Sequence, residues 1–409
     1  MIVFYFFAAI VIWLGVLSLR SGFSFAAYVR RDTARPLANF TPFVSVIAPC
    51  RGLESGLGEN IAALFQQDYP AYEIIFVTDR ADDSSLSVIE DAITSAGPAD
   101  HVQARVVIAG AAADRGQKVH NLTVAVAQTD PRSAALVFVD SDARPQSDWL
   151  RSLVAPLADE RLGAATGYRW FIPERGFIPD RGGFAAQLRS VWNASIASAL
   201  GEREDKNFCW GGSTAIRQAT FAKLQVTERW QGTVSDDFTL TRVLQEAKLP
   251  IHFVPACLVT SLGDCSASEL LEFTNRQLKL TRVYAAHLWQ PVLIGSSLFC
   301  TVFFGGFALV VVRALLGLPF MPALVALVLI YLLGAAKAYI RFQAAAIPLR
   351  KYQRQLRRSL PAHLLLWPFA SVLYLCNALT AAGSRRIKWR GITYELKSAT
   401  EAVIISREQ

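Results

Sequence analysis

Acidic residues gather at three places where a catalyst would need them. Asp79 closes an apolar run, with Asp82 and Asp83 close behind; Asp140 and Asp142 flank one serine in "ALVFVDSD"; Asp236 and Asp237 stand together in "SDDF". A D-x-D pair offers hard oxygen ligands, and Mg2+ or Mn2+ is commonly held by one or two protein carboxylates with phosphate oxygens completing the shell. An acid after an early strand can hydrogen-bond a uracil and its ribose. A separate carboxylate is still needed to take the proton from an attacking hydroxyl. Asp237 falls in the first turn of an expected helix, where the local dipole keeps it ionised. Matching cations are at hand: Lys118 beside the glycine of "DRGQKVHNL", and Arg276, Lys279 and Arg282 in "NRQLKLTRVY". These residue types suit the departure of a nucleotide diphosphate, whose charge a metal and cations stabilise.

Each piece alone also has an ordinary structural role. Asp79 fits a turn, and Ser235 with Asp236 fits a helix cap. "RQLKLTR" fits an amphipathic helix with its charges snorkelling at a membrane surface. "CWGGS" reads either as a tight turn beside a core tryptophan or, at Gly212, as backbone lining a sugar pocket. His120 fits packing or a hydrogen bond. The joint order of the acids within one domain favours the chemical reading.

That domain must be α/β. "FVSVIAPC", "YEIIFVTD", "ARVVIAG" and "ALVFVDSD" read as strands, with the helix "LGENIAALFQQ" after the first. This is the rhythm of a doubly wound sheet, which binds ligands beyond the carboxyl ends of its strands. The second half is mixed: a long helix "FAAQLRSVWNASIASALG", a strand near "FCWGGSTAI" and a helix "DFTLTRVLQEA".

Composition places other parts of the 409 residues in lipid: 53% are apolar, 18% charged, the mean hydropathy is +0.31 and the net charge +8. Such a balance suits anionic headgroups and an anionic small substrate. Nucleic acid is excluded as a partner, since the basic residues cluster near apolar segments and no recognition motif appears. Residues 1–28 are expected to be a transmembrane signal anchor; no basic residues precede the run, which disfavours a cleaved signal peptide. Arg30, Arg31 and Arg35 follow it, placing the next domain in the cytoplasm. Further expected divisions are a linker over 29–42, the catalytic domain over 43–274, an interfacial amphipathic helix over 275–290, transmembrane or re-entrant segments over 291–384 and a basic tail over 385–409. Pro368 makes the last apolar segment the candidate re-entrant one. The six cysteines are scattered without a CxxC pair, so reduced thiols are expected.

The sequence resembles the family 2-type (GT-A) glycosyltransferases, specifically the membrane-bound ceramide glucosyltransferases and their bacterial relatives. The resemblance runs through "VSVIAPCRG", "LFQQDYPAYEIIFV", "QKVHNL", "VFVDSDARP", "GGSTAIRQATF" and "SDDFTLTRVL" to the "IKWRG..Y" tail. It implies that Asp79 and Asp83 contact the nucleotide, that Asp140 and Asp142 hold nucleotide sugar and metal, and that Asp237 is the base. Where that family carries R/Q-x-x-R-W, this chain has Arg276, Gln277, Leu278, Lys279 and Leu280. Lysine keeps the cation without the bidentate fork, and leucine removes an aromatic platform for the acceptor. The resemblance implies an inverting transfer of a sugar, glucose first, from a UDP-sugar to a membrane lipid hydroxyl. Mg2+ or Mn2+ would assist, at the cytoplasmic face of a bacterial inner membrane. Ceramide, hopanoid and diacylglycerol stay open as acceptors. A processive polysaccharide synthase, a polyprenyl-phosphate transferase and a non-catalytic nucleotide-sugar-binding protein stay open as alternatives.

Overall fold

The computed structural model describes residues 1–97, 101–174 and 183–408. In chain order the elements begin with α1 (Ile2–Thr33), β1 (Val44–Pro49), α2 (Leu57–Phe65), β2 (Tyr72–Thr78), α3 (Ser85–Ala96), β3 (Val102–Ile108), α4 (Gln117–Val126) and β4 (Ala135–Phe138). They continue with α5 (Trp149–Val154), β5 (Ala164–Ile172), α6 (Gly183–Ala197), β6 (Thr214–Arg217), α7 (Gln218–Lys223), α8 (Val226–Arg229), α9 (Asp236–Glu246) and β7 (Ile251–Leu262). The remainder is α10 (Ala267–Tyr284), α11 (Ala286–Leu315), α12 (Met321–Ala345), α13 (Gln353–Leu365), α14 (Trp367–Gly383), β8 (Arg386–Trp389), β9 (Ile392–Ser398) and β10 (Glu401–Arg407).

Two compact units emerge. One comprises residues 31–171, 199–263 and 385–409. Its main sheet has the order β3-β2-β1-β4-β6-β5-β7. β1 runs parallel to both β2 and β4, β2 parallel to β3, and β6 antiparallel to β4 and β5. The parallel-dominated α/β class expected of a GT-A domain is therefore the one observed. β2 and β4 are buried along their whole length, as strands covered on both faces must be. Ile47, Ile75, Val77, Val119, Leu136 and Phe138 pack into one core with Trp230, and each such side chain contributes about 1.5–3 kcal/mol by leaving water. The chain runs outward from β1 to β3 and returns to β4 on the other side of β1. The β1/β4 boundary is thus a topological switch point, where open sheets bind ligands.

Residues 385–409, expected as a basic tail, instead form the antiparallel sheet β10-β9-β8 and belong to this unit. The physical cause is period-2 burial: Ile392, Tyr394 and Leu396 alternate inward along β9. Arg390 and Gly391 both take positive φ in the two-residue turn between β8 and β9, as the favoured hairpin turns require.

The second unit comprises residues 1–30, 172–198 and 264–384. The expected domain 43–274 is thus corrected. Its long helix α6 packs with α10, α13 and α14, Trp192 stacking on Tyr374 at 4.7 Å between ring centroids. Among the described residues three helices are long and apolar enough to cross a membrane: α1, α11 and α12. Residues 350–365 and 367–383 form a pair bent by 70°, either a broken span or a re-entrant loop. The bend falls at Leu366 because Pro368 sits in the first turn of α14, where a missing N–H costs nothing. The expected helix over 275–290 is also corrected. α10 starts earlier, at a capping box between Ser266 and Glu269, and the chain breaks at Ala285 before α11.

Candidate active site

Two of the acid-bearing loops follow the carboxyl ends of β2 and β4, the strands on either side of β1, and the third connects α8 to α9. Asp79 follows β2 and is 4% exposed. Arg51, beyond β1, places Nη1 3.2 Å from Asp79 Oδ2. Asp79 Oδ1 is buried with no hydrogen-bond partner among the described residues. A buried acceptor left without a hydrogen bond costs about 1–3 kcal/mol. Asp83 is differently employed: its carboxylate accepts from the Gly52 and Ser85 N–H groups, at 2.9 Å each, and from Ser85 Oγ at 2.6 Å. It ties the loop after β1 to the start of α3.

Beyond β4, Asp140 and Asp142 meet two cations. Lys118 Nζ, in the first turn of α4, lies 2.8 Å from Asp140 Oδ1 and 3.2 Å from Asp236 Oδ1. Arg169 on β5 lies 3.0 Å from Asp140 Oδ2 through Nη2 and 2.9 Å from Asp142 Oδ2 through Nη1. Asp142 Oδ1 is buried without a hydrogen-bond partner among the described residues. Burial alone would depress the Lys118 ammonium, but Asp140, Asp236 and Asp237 outweigh it and hold its pKa well above the ordinary lysine range. Burial pushes Asp236 up to about 6, against the pull of Lys118.

Gly211 and Gly212 bring backbone against this cluster. A Cβ on Gly212 would lie 2.2 Å from the Trp210 ring and 2.8 Å from Asp140 Oδ2, and one on Gly211 would lie 2.4 Å from Asp236 Oδ2. No side chain fits at either position. Asp237 is more open than its buried neighbour Asp236. Its Oδ1 accepts from Ser235 Oγ and from the Phe238 N–H at 2.8 Å, and the Gly211 N–H points to Oδ2 at 3.5 Å. Ser235 is also the α9 cap. The two acids of "SDDF" therefore separate by role: Asp236 pairs with Lys118 inside, and Asp237 faces outward with one lightly engaged oxygen.

Asp140, Asp142, Asp236 and Asp237 face Lys118 and Arg169, leaving two uncompensated negative charges when all four acids are ionised. Among the described residues no group of three or more His, Cys, Asp or Glu could hold a metal alone. A hard divalent ion with one or two protein carboxylates fits this donor set, in which Asp142 Oδ1 is a buried acceptor with no hydrogen-bond partner among the described residues. The six cysteines are free, and burial pushes the Cys50 thiol up to about 12, so it stays an inert packing group. Arg276 and Lys279 stand on α10 in the helical unit; Arg276 lies over the Phe273 ring at 5.7 Å, and burial depresses Lys279. His120 hydrogen-bonds the Ala109 carbonyl at 2.9 Å.

Sequence reasoning missed two parts of the site. Arg169 could have been found as the lone charge inside the apolar strand "AATGYRWFI". The C-terminal sheet left a weaker signal, the alternation in "ITYELKS". It reaches the loop after β1, the start of α4 and the loop leading to Asp236. Arg390 pairs with Glu54, whose other oxygen accepts from Ser141 at 2.9 Å, and Ser141 is the middle residue of the D-x-D. Tyr394 Oη accepts from the Gln117 N–H at 3.1 Å, one residue before Lys118, and Arg407 reaches the Gln117 side chain at 3.0 Å. The Thr400 carbonyl lies 2.1 Å from where a Cβ on Gly232 would stand, in the loop leading to Asp236.

Ceramide glucosyltransferase 3 of Caenorhabditis elegans is 24% identical over 256 residues, covering 60% of this chain. The matched region is 52% of that relative, so the chain spans about half its length. The mannosyltransferase PcManGT from Pyrobaculum calidifontis, solved with GDP-Man and Mn2+, is similar at 18% identity and a TM-score of 0.47, covering 93% of this chain and 98% of its own. Glucosyl-3-phosphoglycerate synthase from Mycobacterium tuberculosis, solved with Mn2+ and UDP-glucose, is similar at 17% identity and a TM-score of 0.36, covering 58% of this chain and 77% of its own. The sequence profile described as glycosyl transferase family 21 matches residues 4–402, nearly the whole chain, and the chain belongs to that family.

Proposed function

We propose that this chain is an inverting glycosyltransferase that moves a sugar, glucose first, from a UDP-sugar to a hydroxyl of a membrane lipid. The observation that carries the proposal is the gathering of Asp79, the D-x-D and Asp237 around one switch point, with buried acceptor oxygens on Asp79 and Asp142 that have no hydrogen-bond partner among the described residues. Asp79 Oδ1 is suited to accept an N–H from the nucleotide base, while its Oδ2 pairs with Arg51. Asp140, held from both sides by Lys118 and Arg169, is fixed to orient the donor's sugar. Asp83 supports the nucleotide indirectly by setting the Gly52 loop. A divalent ion, Mg2+ or Mn2+, would be held by Asp142 and would supply charge neutralisation for the diphosphate.

Asp237 takes the acceptor's hydroxyl proton as the alkoxide oxygen bonds to the anomeric carbon. The bond from that carbon to the diphosphate oxygen breaks, and its electron pair leaves with UDP. A single displacement of this kind inverts the anomeric centre. Gly211 and Gly212 leave space beside the reacting groups where a Cβ would close it. Arg276 and Lys279, on α10, are assigned to the diphosphate and the acceptor head. The three apolar helices of the second unit favour a bilayer-resident acceptor, and Arg30, Arg31 and Arg35 favour the cytoplasmic face of a bacterial inner membrane. Ceramide, a hopanoid or diacylglycerol each offers the hydroxyl required.

The test supplies radiolabelled UDP-glucose, Mn2+ and a total lipid extract to membranes containing the protein, followed by thin-layer chromatography. A discrete labelled lipid is expected, with the mass of its spot naming the acceptor. Label in a long polymer, or tight donor binding with no transfer from any UDP-sugar, overturns the proposal.

A further inference from the structure

Arg169 enters the transfer above only by holding Asp140, yet among the described residues it is the cation paired with both acids of the D-x-D. It projects from the interior of β5, with its guanidinium 4.7 Å from the Trp210 ring centroid. Its two terminal nitrogens divide between Asp140 and Asp142 at 3.0 and 2.9 Å. The planar fork of arginine can span two acids in this way, whereas a lysine ammonium is a single point charge. Lys118 pairs with Asp140 and Asp236; among the described residues the cation paired with Asp142 is Arg169.

We infer that Arg169 is a positioning residue that serves as a resident counter-cation for the D-x-D. It bridges Asp140 and Asp142 while no divalent ion is bound, and it yields Asp142 when one enters. The inference rests on the assignment of Asp142 to the metal. Two carboxylates one residue apart, at a strand end and beside two further acids, repel one another unless a cation stands between them. Arg169 keeps both facing inward. Its positive charge also opposes a second cation at Asp142, so the protein alone binds a metal weakly. The charge that remains uncompensated equals that of one divalent ion. A donor diphosphate adds phosphate oxygens to the metal's shell and so favours entry of the ion together with the donor.

The test measures Mn2+ binding directly, without donor, by electron paramagnetic resonance of free Mn2+ on the detergent-purified full chain. Arg169→Met should bind Mn2+ at least about tenfold more tightly than the parent, a difference of about 1.4 kcal/mol, and Arg169→Lys should lie between them. Mn2+ should also raise the melting temperature of Arg169→Met by more than that of the parent, which reports on the same competition if the variant is marginally folded. Equal or weaker Mn2+ binding in both variants overturns the counter-cation role while leaving the metal site intact. Mn2+ binding that survives Asp142→Asn unchanged overturns the metal assignment, and this inference with it.

Discussion

Replacing Lys118 by methionine isolates the electrostatics that hold the site together. The side chain of Lys118 is 15% exposed, with Asp140 at 2.8 Å and Asp236 at 3.2 Å. Methionine matches its length and keeps the hydrophobic stem packed, so the loss is that of the charge. Asp236 is 5% exposed and already pushed up to about 6 by burial, with Lys118 opposing the rise. Without the ammonium the pull that opposed this rise is gone, so its pKa moves further up. Removing one partner of a buried ion pair costs about 3–5 kcal/mol, because the other charge remains uncompensated. For a unit of this size 1 kcal/mol shifts the melting temperature by roughly 2–4 °C, so a fall of roughly 10 °C is expected. Tryptophan fluorescence suits the measurement: Trp230 is buried and donates its indole N–H to the Asp236 carbonyl at 3.1 Å. The double variant Lys118→Met/Asp236→Asn removes the stranded acid and should recover about half of the loss. A single variant melting within about 2 °C of the parent would refute the reasoning, as would a double variant less stable than the single one.

Three further outcomes follow from the same contacts. Gly212→Ala places a methyl 2.2 Å from the Trp210 ring; transfer should fall at least about a hundredfold, comparable to the loss of one positioned catalytic contact, as measured by initial rates with saturating donor. Arg390→Ala frees Glu54 and through it the D-x-D serine, so the KM for the donor should rise several-fold while the helical content seen by circular dichroism is unchanged. His252 stands 2.7 Å from Glu204 and 3.4 Å from Asp32; burial disfavours its charge, but the two carboxylates raise its pKa to about 9. Since the folded value exceeds the unfolded one of about 6.5, the stabilisation of up to roughly 3 kcal/mol is fully present below that unfolded value and is lost as pH rises through 9. The melting-temperature gap between the parent and His252→Gln should accordingly be widest at pH 6 and close by pH 10.

The strands leading to Asp79 and Asp140 were legible because parallel strands covered on both faces need continuous apolar runs, and an acid at the end of such a run stands out. Ser235, Asp236 and Asp237 were legible as the start of a helix, but their division of labour was not. Only the fold shows that Lys118 meets Asp236 while Asp237 stays accessible. Arg169 was hidden by its setting, since a strand otherwise apolar gives no hint that its single charge faces two acids from a distant loop. The C-terminal sheet was masked by its basic residues, although the alternation through Ile392, Tyr394 and Leu396 carries the strand pattern. The grouping of α6 with α10, α13 and α14 depends on packing between segments far apart in sequence, which local periodicity does not encode. Likewise Pro368 marked a discontinuity in the last apolar segment, while the placement of the 70° bend at Leu366 depended on the helix starting just before that proline.

The central claim is that Asp237 takes the acceptor's proton while other acids hold the donor. Asp237→Asn keeps the size of the side chain and its acceptance from Phe238 and Ser235, and removes the base. The decisive measurement pairs UDP-sugar binding by calorimetry with lipid glycosylation rates on the same purified variant. The account predicts donor affinity within about threefold of the parent and transfer slowed by at least about 10²–10⁴-fold, the usual worth of a general base. Transfer near the parental rate, or donor binding lost in step with transfer, would contradict it.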